Sequence, residues 1–401
     1  MKGKVYSAFF SLMIASHVLS YTQQFSTVGT IFKYIISLIL FTSLLTKKIN
    51  YKSYKTLFMV LIPCTVIPLV LIILGIYIIL PFNQILNSLS YFYFILLIIT
   101  CKEMFVTRIK FLFHTQIGIS LAVIFMAIYH RNEMSFNILV LLKNMVLNSR
   151  DIRVFLGFTN PNMLGLVLLI GIICSLDLMN SASSLKITLT NILLFLVYIV
   201  ILANVGSRTV LFSVILGLIM MLIFMQLSRL SKIKKILTYI VLAIILLFGL
   251  AIIINSNTHL TSIDSLNTLT SNRLYRQFGT IEYLLQRKIL VRGIGNLNSS
   301  SLYSGNFIFE NELRTDNSYV FFLTTLGLVG LVLIIMILMK IYFKISLQDY
   351  KTKSVFFIWI ATSLFEHTLF VPSSITSLFF LIYIIYGFQS KEMAYESNIY
   401  I

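Results

Sequence analysis

The chain has 401 residues, of which 58% are hydrophobic and 11% charged, and its mean hydropathy is +0.95. Because soluble domains carry about 25% charged residues, this composition excludes an ordinary soluble protein and makes the bilayer its solvent. The formal net charge of +18 is not read as a nucleic-acid signal, since the basic residues lie mostly between apolar runs, where they orient membrane helices.

Twelve apolar runs follow one another along the chain. A spanning helix needs about 20 mostly apolar residues, because its backbone must form its hydrogen bonds internally. The sequence therefore predicts an all-α polytopic membrane protein, with a single integral membrane domain over residues 1–401. The first run is predicted to be a retained helix and not a cleaved signal peptide. The runs are 5–21, 29–46, 56–80, 86–101, 111–129, 161–180, 187–206, 209–227, 236–254, 317–343, 354–371 and 375–388.

Two of these runs, 86–101 and 375–388, are short for a full crossing, so each is tilted, longer than drawn or partly re-entrant. Assigning the connections to alternate sides collects most lysines on one side and most arginines on the other. Since positive charge is retained in the cytoplasm, the lysine-rich side is predicted to be cytoplasmic, together with both termini.

The arginine-rich outer side favours anion binding, because a guanidinium binds phosphate or carboxylate oxygens in pairs. Chance is the alternative, as is pairing of some arginines with Glu133, Asp151 or Glu282. The three cysteines, Cys64, Cys101 and Cys174, form no motif typical of a disulfide framework or a metal site.

Two outer segments are longer than the other connections. The outer loop 130–160 contains an amphipathic stretch, Phe136 to Leu147, that suits an interfacial helix. The loop 255–316 is too long for a plain connection. Its stretch Asn272 to Leu290 repeats apolar residues at helical spacing, which predicts a partly helical cap over the outer surface.

Within this large loop, Arg273 and Arg276 are three residues apart and share a helix face, where together they suit one diphosphate. Gly293 and Gly295 allow close backbone approach, although a plain turn is the better explanation for the glycines alone. Asp316 and Asn317 lie at the start of the tenth run, where capping of the helix is the alternative to a substrate-binding role.

Polar residues also interrupt or begin other outer spans. Arg208 lies in a very short connection near the hydrocarbon edge, where it either serves function or reaches lipid headgroups. Pro161 suits the first turn of the sixth span. Glu366 and His367 are predicted inside the outer half of the eleventh span, where a carboxylate is costly unless it faces a cavity or a partner.

Taken in order, these motifs resemble the O-antigen polymerase and O-antigen ligase family of membrane glycosyltransferases. The resemblance covers about residues 150 to 370. It rests on Thr159-Asn160-Pro161-Asn162-Met163-Leu164-Gly165, Gly206-Ser207-Arg208-Thr209, Asn272-Arg273 with Arg276, Gly293-Ile294-Gly295, Asp316-Asn317-Ser318-Tyr319 and Leu326-Gly327-Leu328-Val329-Gly330.

The resemblance implies an enzyme that uses a polyprenyl-diphosphate-linked glycan. Arginines would stabilise the departing diphosphate and a carboxylate would accept the proton of the sugar hydroxyl. Asp316 is the first choice for this base, with Glu310, Glu312 and Glu366 as alternatives. The expected catalytic residues are Asp316, Arg208, Arg273 and Arg276, and the expected substrate-binding residues are Arg150, Arg153, Asn162, Asn272, Arg292, Arg314, Asn317, Tyr319 and Glu366.

No cofactor and no metal are expected, since the outer side lacks Asp-x-Asp and histidine clusters. Ligase-like members commonly have a histidine where this chain has Asp316, which favours a polymerase of capsular, exo- or O-antigen-type polysaccharide in the bacterial cytoplasmic membrane. Expected partners are the lipid-linked oligosaccharide, the bilayer and a chain-length regulator. A flippase or other transporter and a ligase-like transferase remain the alternatives.

Overall fold

The computed structural model describes residues 2–47, 49, 51–76, 81–134, 137, 154–181, 184–229, 273–295, 317–346, 349–372 and 374–397. Within these ranges the regular elements are helices, and β-type pairing is limited to one isolated bridge between Thr22 and Phe158. The predicted all-α class is confirmed for this part of the chain.

Thirteen α-helices lie in the described ranges. A 3-10 turn, Thr42–Thr46, extends α2, a wider helical turn, Ile62–Val66, leads into α4, and a short 3-10 turn, Arg131–Glu133, follows α6. The helices are α1 Lys2–Leu19, α2 Ser26–Phe41, α3 Tyr51–Phe58, α4 Ile67–Ile73, α5 Pro81–Met104, α6 Arg108–Tyr129, α7 Pro161–Ser181, α8 Leu185–Val205, α9 Arg208–Arg229, α10 Arg273–Gln286, α11 Ser318–Lys344, α12 Tyr350–Ser363 and α13 Ile375–Ser397.

Eight stretches in the described ranges are long and apolar enough to cross a membrane, so the chain is a multi-pass membrane protein. Two further apolar helices, Lys4–Leu19 and Ile375–Phe388, are shorter. The predicted ninth run, 236–254, lies outside the described residues, and the count of twelve spans stays a prediction. The eight stretches are Ser26–Leu45, Tyr54–Ile73, Phe82–Met104, Arg108–Tyr129, Pro161–Ser181, Leu185–Val205, Thr209–Leu227 and Ser318–Lys344.

The two short runs prove to be parts of longer helices, since α5 extends to 24 residues and α13 to 23. The predicted eleventh span, 354–371, was wrong in its second half, because α12 ends at Ser363. The hydroxyl of Ser363 bonds the carbonyl of Ile360, a local bond that competes with helix continuation, and Pro372 disfavours helix in the residue before it.

The described helices form two compact units. The first comprises Met1–Phe58, Ser90–Leu216 and Thr368–Ile401. At its centre is α7, which is buried without interruption from Leu164 to Ser175 and packs against α6 and α8. Its Gly171 faces the ring of Tyr198 at a distance that leaves no room for a Cβ, so the small residue permits close helix packing.

One end of this unit is predicted to face the cytoplasm. The charged groups at that end are paired within the protein. Asp177 accepts a 2.8 Å hydrogen bond from the hydroxyl of Tyr383 and lies 3.3 Å from Nε of Arg108. Tyr54 donates to the carboxylate of Glu103. These pairs explain how carboxylates are retained in a helix bundle where isolated charge is costly.

The second unit comprises Met59–Leu89 and Gly217–His367. It contains α10, whose Leu284 packs with Ile289 and Ile294 of the following turn. Here Lys353, at the start of α12, is only 3% exposed and lies over the ring of Tyr342 at 4.4 Å. Its longest helix, α11, is interrupted at Gly327.

Candidate active site

Two of the sequence motifs meet in the first unit. Asn160 caps α7 by accepting from the N–H of Asn162 at 2.8 Å, so the initiating role of this motif is confirmed. The side-chain oxygen of Asn162 in turn accepts a 3.4 Å hydrogen bond from Ser207. A Cβ on Gly165 would lie 2.9 Å from that of Ser207, which explains why a glycine stands there. The structure thus brings Asn162 next to the residue that precedes Arg208.

Gly206 ends α8 in the left-handed conformation, with φ of 60°, and α9 begins at Arg208. This glycine cap produces the very short connection that the sequence indicated. The backbone of Arg208 therefore lies at a helix N-terminus, a position that favours anions. Its side chain lies outside the described part of the structure.

The segment 154–160 closes over the same end of the first unit. Val154 donates to the carbonyl of Asn204 at 3.3 Å, and Thr159 donates to that of Tyr21 at 2.9 Å. Gln23 donates to the carbonyl of Gly157 at 2.8 Å. The chain is therefore fixed at three points before it enters α7. The stretch 136–147, predicted to be interfacial, and two predicted substrate-binding residues, Arg150 and Arg153, precede this segment and lie outside the described residues, apart from residue 137.

Three predicted site residues come together in the second unit, at the start of α11. Asn317 caps the helix by accepting from the N–H groups of Tyr319 at 2.8 Å and Val320 at 3.3 Å. The hydroxyl groups of Tyr319 and Ser363 are hydrogen-bonded at 3.2 Å. Ser318 donates to the backbone carbonyl of Glu366 at 3.1 Å.

Glu366 is 9% exposed and lies after the end of α12, in the irregular segment that begins at Leu364. Its predicted place inside a spanning helix was therefore wrong. This position brings Glu366 close to Asn317 and Tyr319, because the irregular segment folds back onto the first turns of α11. The bond from Ser318 to the carbonyl of Glu366 shows this contact.

The two glycine motifs of the second unit pair with each other. Gly327 adopts φ 69° and ψ −174° inside α11, and a Cβ there would clash with the carbonyl oxygen of Val291. Gly293, with φ of 72°, has the nitrogen of Gly327 2.5 Å from its own Cβ position. Both positions therefore require glycine for conformation and for space.

The turn 289–295 forms hydrogen bonds with the backbone groups of α11 that lose their helical partners at Gly327. In a regular helix Leu328 would donate to Thr324. Instead Leu328 donates to Leu290 at 2.9 Å, and the carbonyl of Thr324 accepts from Ile294 at 2.8 Å. Gly295 donates to Thr325 at 2.9 Å. The freed backbone groups are thus satisfied, as the membrane interior requires.

Arg292 is carried on this turn and is exposed. The turn contacts α11 at Thr324 to Leu328, six to ten residues after Ser318, which corresponds to about 10 Å or more along the helix axis. An arginine beside a helix that can span the membrane is costly unless it meets water, a cavity, a headgroup or an anionic ligand.

The loop helix predicted within 272–290 is present as α10, Arg273–Gln286. The helical backbone places Arg273 and Arg276 on one face, as their spacing indicated. Their side chains lie outside the described part, and the extent of the cap stays a prediction. Also outside are Asp316, Asn272, Arg314, Glu310 and Glu312.

Sequence reasoning left three charged or titratable groups without a role. Lys33, counted on the outer side, lies inside α2 and is 7% exposed, with its ammonium 5.0 Å from the ring of Tyr34. Nδ1 of His130 lies 2.6 Å from Glu133. His367 packs its ring on Phe321. Sequence features could have pointed to each of them: Lys33 is a lysine inside an apolar run, His130 and Glu133 are three residues apart, and His367 is next to Glu366.

No three His, Cys, Asp or Glu side chains converge within the described ranges, and the metal-free chemistry stays a prediction. The three cysteines are buried and unbridged.

A family model matches the part of the chain that runs from α8 into α11. Residues 192–335 match the family model described as O-antigen ligase. The match covers about a third of the chain and confirms the resemblance to the O-antigen ligase and polymerase family. It includes Arg208, Arg273, Arg276 and the start of α11, whereas Asn162 lies before it. None of the curated proteins matches the chain. The O-antigen ligase match implies a membrane glycosyltransferase-like enzyme.

Proposed function

We propose that this protein is a surface-polysaccharide polymerase of the bacterial cytoplasmic membrane. It would transfer a growing glycan from a polyprenyl diphosphate onto a lipid-linked repeat unit at the outer face, with both termini in the cytoplasm. The observation that carries the proposal is the O-antigen ligase match over residues 192–335, within which the structure groups Asn317, Tyr319 and Glu366 around the start of α11.

The reaction breaks the bond between the anomeric carbon and the diphosphate oxygen, and the electron pair leaves with the diphosphate. Guanidinium groups aimed at that developing charge would lower the barrier. Arg208 begins α9 directly after the non-helical Ser207, so the backbone N–H groups of that helix N-terminus accompany this arginine. Arg276 and Arg292 complete the proposed anion-binding set.

The pairing of the turn 289–295 with α11 supports this role for Arg292. A loop that supplies backbone hydrogen bonds to a membrane helix is held in place more firmly than a free loop. Arg292 then needs little ordering when the lipid diphosphate binds, which reduces the entropy cost of binding. Arg150, Arg153, Asn162, Asn272, Arg314, Asn317 and Tyr319 are proposed to bind the sugars or the carrier.

Reconstitution tests the proposal. The purified protein in liposomes, given a polyprenyl-diphosphate oligosaccharide, is expected to give a ladder of products that differ by one repeat. Arg273→Ala and Arg276→Ala should each lower the rate by 10²-fold or more, since removal of one charge-stabilising donor typically costs about 10²–10³ in kcat.

Arg287→Ala is the matched control. Arg287 is exposed, directly follows α10 and lies 5.7 Å from the ring of Tyr283, so the variant removes one positive charge from the same region. It should polymerise like the parent. Equal loss in all three variants would show that only net charge matters. A single transfer to an acceptor without a lipid diphosphate, with no ladder, would replace the polymerase by a ligase-like transferase, which the description of the matched family favours.

A further inference from the structure

The segment that follows α12 folds onto the first turns of α11. Ser363 bonds Tyr319, and Ser318 bonds the backbone of Glu366, so two hydrogen bonds join the two elements at the first two residues of the helix. His367 comes next in this segment. Its ring centroid lies 3.8 Å from that of Phe321 and 6.4 Å from that of Phe322.

The imidazole of His367 has an unused polar atom. Its Nε2 is buried and has no hydrogen-bond partner among the described residues, although the residue as a whole is only partly buried. A buried polar atom without a partner costs about 1–3 kcal/mol. Leucine or phenylalanine would fill the same place against two phenylalanine rings without that cost, so a ligand atom that bonds Nε2 would explain the histidine.

The surroundings favour the neutral imidazole. Two aromatic rings cover it and withdraw it from water, which disfavours the charged form in the resting protein. A neutral imidazole has one nitrogen free to accept a proton. The titratable groups on the packed elements are Glu366, beside it in the chain, and Tyr319, which is engaged with Ser363.

We propose that His367 is the proton acceptor for the attacking sugar hydroxyl, an assignment that rests on the polymerase function proposed above. The acceptor oxygen forms its bond to the anomeric carbon while the bond from that carbon to the diphosphate oxygen breaks. The hydroxyl proton passes to the imidazole nitrogen, and the electron pair of the broken bond leaves with the polyprenyl diphosphate. The imidazolium then returns its proton to the diphosphate or to water. Asp316 would not be needed as the base.

The test is a single-turnover assay in liposomes with a lipid-diphosphate donor and a lipid-linked acceptor. His367→Gln keeps the size and one polar atom but accepts no proton at neutral pH. It should lower the rate at saturating donor by 10²- to 10⁴-fold, the usual range for a general base, and change the donor KM by less than about threefold.

His130→Gln is the matched control, because Nε2 of His130 is also buried without a described partner but lies in the first unit. It should react like the parent. Added imidazole should raise the rate of the His367→Ala variant at least tenfold, whereas a rate lost through a packing defect would not respond to imidazole. A folded His367→Gln variant with the parental rate, or a His367→Ala variant without imidazole rescue, overturns the assignment. A parent protein that yields no product overturns the polymerase function instead.

Discussion

The side chain of Asn317 accepts hydrogen bonds from two backbone N–H groups at the start of α11, and this alone accounts for its position. Its amide nitrogen is a separate donor that could still bind a substrate oxygen. A capping role and a binding role therefore coexist in one residue. They can be separated, because serine caps a helix about as well as asparagine but carries no amide group.

Replacement of Asn317 by alanine should lower the free energy of unfolding by about 0.5–2 kcal/mol, the usual cost of a lost N-cap. Asn317→Ser should restore most of that stability, as measured by thermal unfolding in detergent. The glycan-transfer rate then decides between the roles. If Asn317→Ser regains stability but stays at least tenfold slower than the parent, the amide binds substrate. If both recover, Asn317 is only a cap.

At the residue scale, the sequence predicted which residues belong to the candidate site better than it predicted which residues they contact. Asn317 and Tyr319 could be selected because a polar run precedes an apolar span. The bond between Ser207 and Asn162 could not be derived, since it joins residues 45 positions apart in the chain. Glu366 was misplaced because Leu369, Phe370 and Val371 extend the apolar run beyond the true end of α12.

Among the elements, α11 shows what hydropathy detects and what it misses. The predicted span 317–343 agrees with Ser318–Lys344 almost to the residue. The break at Gly327 leaves no trace in hydropathy, because the residues on both sides are apolar. The only signal was the glycine itself, and glycine in a membrane helix more often permits close packing. The partner of the break, the turn 289–295, is too distant in sequence for local pattern to reveal.

Replacement of Gly327 by alanine should therefore be severe. At φ 69° and ψ −174° a non-glycine residue is strained by about 1–3 kcal/mol, and the added Cβ would also clash with the carbonyl of Val291. We expect the turn 289–295 to detach, so that the amides of Ile294, Gly295 and Leu328 lose protection in hydrogen exchange while those near Lys344 keep it.

Gly279→Ala is the matched control for this change. Gly279 lies inside α10 with no atom within 4 Å of its Cβ position, so alanine should be neutral or stabilise by up to about 1 kcal/mol through helix propensity. Unchanged protection in Gly327→Ala would show that the turn is not held by the break.

On the scale of the whole molecule, composition and charge placement predicted class and orientation. The multi-pass class is confirmed by eight apolar stretches, whereas the orientation follows only from the separation of lysine and arginine between the two sides. Lysine and arginine are both retained in the cytoplasm, so the orientation argument uses their sum, and anion binding by the arginines on the other side stays a separate prediction.

The orientation can be measured with single cysteines in a chain whose Cys64, Cys101 and Cys174 are changed to alanine. Arg131→Cys, exposed after α6, should react with a membrane-impermeant maleimide in intact cells. Lys186→Cys, exposed at the start of α8, should react only after the membrane is opened. The opposite pattern would reverse the orientation and place the arginine set in the cytosol.

The repaired break in α11 also bears on how relatives of this protein can be recombined. The helix obtains part of its backbone bonding from residues that precede it by thirty or more positions in the chain. A chimera that exchanges only the outer loop, or only the helix, would combine a turn 289–295 and an α11 from different proteins, and their backbone hydrogen bonds would not match. Residues 273–330 should therefore be transplanted as one cassette, and natural variation in this region should be inherited as a block.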